Sequence, residues 1–117
     1  MENAILMQAD GSVVPVCIGE WTEETLEQVL HATQVKRCWS HSLIAFGADC
    51  GVALMGYADA KASGDLTENV LAGKLMGTMV QGDFLLVYWD SHKMCCGGLE
   101  PQEVDRVLEE LERFCSK

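Results

Sequence analysis

Basic side chains are scarce in this chain of 117 residues: eight lysines and arginines stand against 18 aspartates and glutamates, a net charge of −10. A surface so charged repels phosphate backbones and anionic lipids, so direct nucleic-acid binding and charge-driven membrane binding are not expected. Long apolar runs are missing as well, and none approaches the roughly 20 residues of a membrane-crossing helix. The opening Met1-Glu2-Asn3-Ala4-Ile5 lacks the basic start and apolar stretch of a secretory leader. The six cysteines, at 17, 38, 50, 95, 96 and 115, include no Cys-x-x-Cys pair. Free thiols and a cytoplasmic setting are therefore expected. Gly73, Gly77 and Gly82 match no phosphate-cradling loop, and neither His-Glu-x-x-His nor Gly-x-Ser-x-Gly occurs.

What is present suits one globular domain. Apolar residues reach 49% and charged residues 22%, enough to bury a core without cross-links. Two apolar runs, 4–7 and 13–18, meet across Asp10-Gly11, a hairpin signal. Pro15 lacks a ladder donor, which assigns the second strand to an edge or a bulge. Thr22 then caps a helix with Glu23 and Glu24 in its first turn, Trp21 stapled to Leu26, and Leu26, Val29 and Leu30 inward. His31, at the end of that helix, reads as a surface residue that complements its dipole.

Residues 35–39 read as a short strand. Residues 43–46 and 52–55 flank Gly47-Ala48-Asp49-Cys50-Gly51 and read as a second hairpin. A helical turn over 58–62 and a short helix over 66–75, begun near Asp65 or Thr67, fill the middle. The continuous apolar run 84–89 predicts a central strand covered on both faces. A last helix starts at Pro101, stapled by Leu99 and Val104, with Val107, Leu108, Leu111 and Cys115 along its stripe and Glu109 placed to pair with Arg113. The fold class expected is α+β: a mostly antiparallel sheet with two to three helices packed on one side.

Residues 5–16 and 26–30, the stretch Gly56-Tyr57-Ala58-Asp59-Ala60-Lys61-Ala62, and Leu99-Glu100-Pro101-Gln102-Glu103-Val104 carry a resemblance. In them the chain resembles a family of small proteins, a domain of unknown function found in phages, plasmids, bacteria and some eukaryotic microbes. That family usually has asparagine three residues before the alanine, where Asp59 precedes Ala62 here. Its glycine pair after the first helix is replaced by His31-Ala32-Thr33. The resemblance implies a small module that a mobile element can carry. It implies no activity.

Two places could hold chemistry. Ser91-His92-Lys93-Met94-Cys95-Cys96-Gly97-Gly98 gathers soft ligands, and His92, Cys95 and Cys96 could hold zinc or copper or support thiol chemistry. Adjacent cysteines chelate one ion poorly and no second pair with metal spacing follows, so a loop is the better reading and no cofactor is expected. Cys38-Trp39-Ser40-His41 places a thiol near an imidazole, but on a strand those residues point apart. The function expected is a non-enzymatic binding or regulatory module whose partner is a protein or small ligand. Tyr57, Asp59 and Lys61, in an irregular segment, would bind it. Thiol- or metal-dependent activity at His92, Cys95 and Cys96 is the alternative, and an acidic DNA mimic the third reading. A homodimer is expected if strands 4–7 and 84–89 leave apolar surface uncovered.

Overall fold

Asp10 and Gly11 turn the chain as the spacing requires. Gly11 sits at φ 97°, Ser12 N–H donates to the Asp10 carboxylate at 2.8 Å, and Gln8 N–H donates to Ser12 O at 2.8 Å. The computed structural model describes residues 1–61 and 67–115. The turn joins β1 (Ala4–Met7) to β2 (Val13–Val16). There follow α1 (Glu23–Leu30), β3 (Val35–Cys38), α2 (His41–Cys50), β4 (Leu54–Asp59), α3 (Val70–Met76), β5 (Phe84–Asp90), β6 (Cys95–Gly97) and α4 (Pro101–Cys115).

The sheet is antiparallel throughout, in the order β2-β1-β5-β4-β3, and β6 pairs with the far end of β5. β5 is central, as its unbroken apolar run demands. Residues 84–87 are fully buried. Period-two alternation divides the sheet into two apolar faces. Ile5, Met7, Leu54, Ala58, Phe84 and Leu86 pack under α2, α3 and α4; Ala4, Leu6, Met55, Tyr57, Leu85 and Val87 pack with Leu26 and Leu30 of α1. The α+β class is as expected, with three helices on one face. The fourth, α1, covers the opposite face, because strands apolar on both sides need cover on both.

Three local assignments are corrected. Residues 43–55 form no hairpin. Ser40 caps α2 by accepting from Leu43 N–H at 3.1 Å, and Gly51, at φ 72°, ends it. Leu43, Phe46, Gly47 and Cys50 recur at helical spacing and are buried, so the glycine-flanked stretch is a helix end and not a turn. Residues 58 and 59 belong to β4, not to a helical turn; Ala62, Asp65 and Leu66 lie outside the described residues. Residues 95–97 of the supposed loop form β6, closed by the Asp90 carboxylate, which accepts from His92 N–H at 3.0 Å and Lys93 N–H at 3.1 Å.

α1 starts as read, with Thr22 accepting from Thr25 N–H at 3.2 Å. At its end stands His31, exposed as read. That residue caps the helix at φ 54°, in the left-handed region that glycine adopts without strain. His31→Gly is therefore expected to stabilise the protein by about 0.5–1 kcal/mol, strain relief exceeding the entropy cost of glycine. Chemical denaturation measures it, and a loss of stability would contradict the left-handed cap. In α4, Glu103 accepts from Glu100 N–H at 2.8 Å, and Arg113 pairs with Glu110 at 2.6 Å, not with Glu109.

Candidate functional site

The segment expected to bind, Tyr57, Asp59 and Lys61, does not converge. Tyr57 lies 8% exposed in β4 within the α1-covered core. Its hydroxyl donates to Cys96 Sγ at 3.2 Å. Asp59 accepts from Lys61 N–H at 2.8 Å, the bond of a turn former, while Lys61 is exposed. These residues hold the end of β4 rather than line one pocket.

The soft-ligand cluster also divides. Cys95 and Cys96 are neighbours on β6 and face opposite sides of the sheet. Cys96 points inward, 3.7 Å from Met55 Sδ, whereas Cys95 is exposed and His92 stands in the turn. No group of three metal-ligating side chains forms among the described residues. Burial raises the Cys96 thiol above its usual range, against lesser opposing effects of Tyr57 and Arg37. Burial raises Cys38 too, despite nearby Lys36. Both stay protonated near neutrality, which disfavours a thiolate nucleophile. Ser40 is occupied as the α2 cap and His41 opens the helix, exposed, so residues 38–41 form no nucleophile–base pair.

Two buried groups set a pH limit. Burial pushes Cys50 up to about 12, reinforced by Glu110 and Asp49. Burial and the Cys96 hydrogen bond take Tyr57 to about 12. The unfolded chain releases these protons first, near the ordinary values of 9.0 and 10.0. Their stabilisation is complete below about pH 9 and is lost as pH rises towards about 12. Melting temperature should fall between pH 7 and 10.5, and less steeply in Cys50→Ala and Tyr57→Phe. Equal slopes in all three proteins would contradict this account.

What the sheet does assemble is an aromatic surface where β3 hands over to α2. Trp39 and Trp89 meet edge to face, centroids 4.9 Å apart at 87°, and the Arg37 guanidinium lies 6.0 Å from the Trp89 ring. Trp89 is held from both sides: its N–H donates to Ala53 O at 3.0 Å, and Cys96 pairs with it across β6. Trp39 is 46% exposed and Ile44 57%, although most large apolar side chains are buried. Trp39, Ile44, Ala48, Val52, Leu54 and Trp89 line an apolar cleft of about 470 Å³. Rigid aromatics with an arginine at their rim are the side chains that dominate binding energy at protein interfaces. Ile44 could not be read as exposed until 41–50 was a helix, whose buried positions leave it on the outer face.

Of the strands expected to leave surplus apolar surface, 4–7 and 84–89, residues 4–7 and 84–87 are buried and Tyr88 and Trp89 are half-buried. The uncovered surface lies instead at Trp39 and Ile44. No helix among the described residues is long and apolar enough to cross a membrane. Comparison with family models, curated proteins and solved structures gives no match.

Proposed function

We propose that this chain is a non-enzymatic binding module that holds a protein partner at the cleft between Trp39, Ile44 and Trp89. The edge-to-face tryptophan pair beside an apolar cleft, with Trp39 exposed and Trp89 half-buried, carries the reading. Leaving part of such side chains in water forgoes a share of the about 1.5–3 kcal/mol that full burial of each is worth, which a partner recovers. For the thiol alternative, His92, Cys95 and Cys96 do not converge among the described residues, and burial raises the Cys96 thiol. A DNA mimic needs uninterrupted carboxylates, and Arg106 and Arg113 break the acidic face of α4.

Selection from a random peptide display on the immobilised protein tests the reading. Selected peptides should bind Trp39→Ala at least about tenfold more weakly, a loss near 1.4 kcal/mol. Ile44→Asp, on an exposed helix face, should weaken binding similarly while leaving the fold intact. Binders indifferent to both changes would overturn the site.

A further inference from the structure

The two outer strands differ in what their free edges offer. In β2, Gln8 N–H donates to Ser12 O and Asn3 N–H to Val16 O, so the even-numbered residues face β1 and Pro15 faces outward. Pro15 cannot donate, and that edge is blocked. In β3, Ala60 N–H donates to Gln34 O at 2.9 Å, which sets the alternation with β4. Lys36 and Cys38 face β4, while the backbone N–H and C=O groups of Val35 and Arg37 point away from the sheet. No described strand pairs with them.

We propose that the outer edge of β3 takes up a strand from the partner: an extended segment with acidic side chains on the Arg37 face and an apolar side chain on the Lys36–Cys38 face. The proposal rests on the binding-module reading and specifies how the partner is held. Charge selects the occupant. Lys36 and Arg37 are exposed cations in a chain of net charge −10, and among the described residues neither pairs with a carboxylate. A second copy is a poor occupant. Antiparallel self-pairing centred on either residue sets Lys36 against Lys36 or Arg37 against Arg37, and like charges opposed across strands destabilise. On the other face, Cys38, Met76, Met79 and Val80, with Lys36 and Asp59, line a groove of about 220 Å³, space for one large apolar side chain. Strand addition uses these parts: main-chain bonds give affinity, and alternate side chains give selectivity.

The probe is a synthetic peptide of about eight residues alternating glutamate and leucine, compared with its lysine–leucine counterpart and with a copy N-methylated at alternate residues. On the full chain, the glutamate peptide should bind and slow hydrogen exchange at the Val35 and Arg37 amides. The lysine peptide and the N-methylated copy, which needs no variant of the protein, should fail. Arg37→Gln should weaken binding about three- to fivefold through lost charge. Arg37→Pro, which removes the outward donor, should weaken it about tenfold or more. Absence of binding, equal binding of the lysine peptide, or binding without slowed exchange at Val35 and Arg37 would overturn the edge site. If display-selected peptides still depend on Trp39 in that case, the edge proposal fails and the binding-module reading stands.

Discussion

Gly56→Ala is expected to destabilise the protein by about 3 kcal/mol, the upper range for forcing atoms into a packed core. Gly56 lies in β4 opposite Leu86 of β5, and the tip of the Phe84 ring, its Cζ, occupies the space a Cβ on Gly56 would take. A Cβ there would overlap the ring, with Cε2 only 2.7 Å and Cε1 2.8 Å away. Phe84 is 0% exposed within the core, so its ring can give way only by displacing packed neighbours. Phe84→Leu should partly rescue Gly56→Ala, with a coupling of about 1 kcal/mol or more. Denaturant unfolding of the two single variants and the double variant measures it. Strict additivity would show that ring and glycine do not compete for the same space.

A second large loss is expected at Asn69, the one buried polar side chain in the described core, 1% exposed. Its Oδ1 accepts from Ala72 N–H at 3.1 Å and caps α3, while Nδ2 donates to Met7 O at 2.8 Å and Gly82 O at 2.9 Å. One amide thus joins α3, the end of β1 and the approach to β5. Asn69→Ala removes a cap worth about 1 kcal/mol and strips two carbonyls of a donor, for a total near 3 kcal/mol. Asn69→Asp preserves the cap acceptor but turns an oxygen towards both carbonyls, so it should be at least as damaging at pH 7. Burial and those carbonyls raise the introduced carboxyl, so the deficit of Asn69→Asp should shrink as pH falls towards 4. A loss under about 1 kcal/mol in Asn69→Ala would show that the carbonyls find other donors.

Much of the sheet was legible because its signals are local. Asp10-Gly11 set the first turn, Pro15 marked an edge, and the run 84–89 could only be central. The first and last helices were written in their caps and stripes. Failures occurred where one residue type serves two structures. Gly51 ends α2 in the left-handed conformation, yet glycines at both ends of 47–51 also suit a hairpin. Asn69 caps α3 four residues beyond Asp65, and only the tertiary fold shows its two carbonyl partners.

Asn69 and Ala72 are joined by the hydrogen bond that caps α3. His31 occupies the left-handed position that a glycine after the first helix would fill. Both sites bear on architecture rather than chemistry. The candidate site was the least legible feature, because Arg37, Trp39, Ile44 and Trp89 come from three elements. Their meeting depends on β5 lying beside β4 and on 41–50 being helical. Of the chemistry-bearing residues that stand out in sequence, Cys95 and Cys96 are separated by the alternation of β6, and His92 stands in the turn before it.

We place recognition, as a proposal, at the Trp39–Trp89 cleft and not in the thiols. One titration tests it most directly: the affinity of a display-selected peptide for the native chain, for Trp39→Ala, and for a triple variant carrying Cys38→Ala, Cys95→Ser and Cys96→Ser, each with its melting temperature. Binding that persists in the folded triple variant and falls about tenfold or more in folded Trp39→Ala is the predicted result. Binding lost in a folded triple variant and retained in Trp39→Ala would contradict the account and return the site to the thiols.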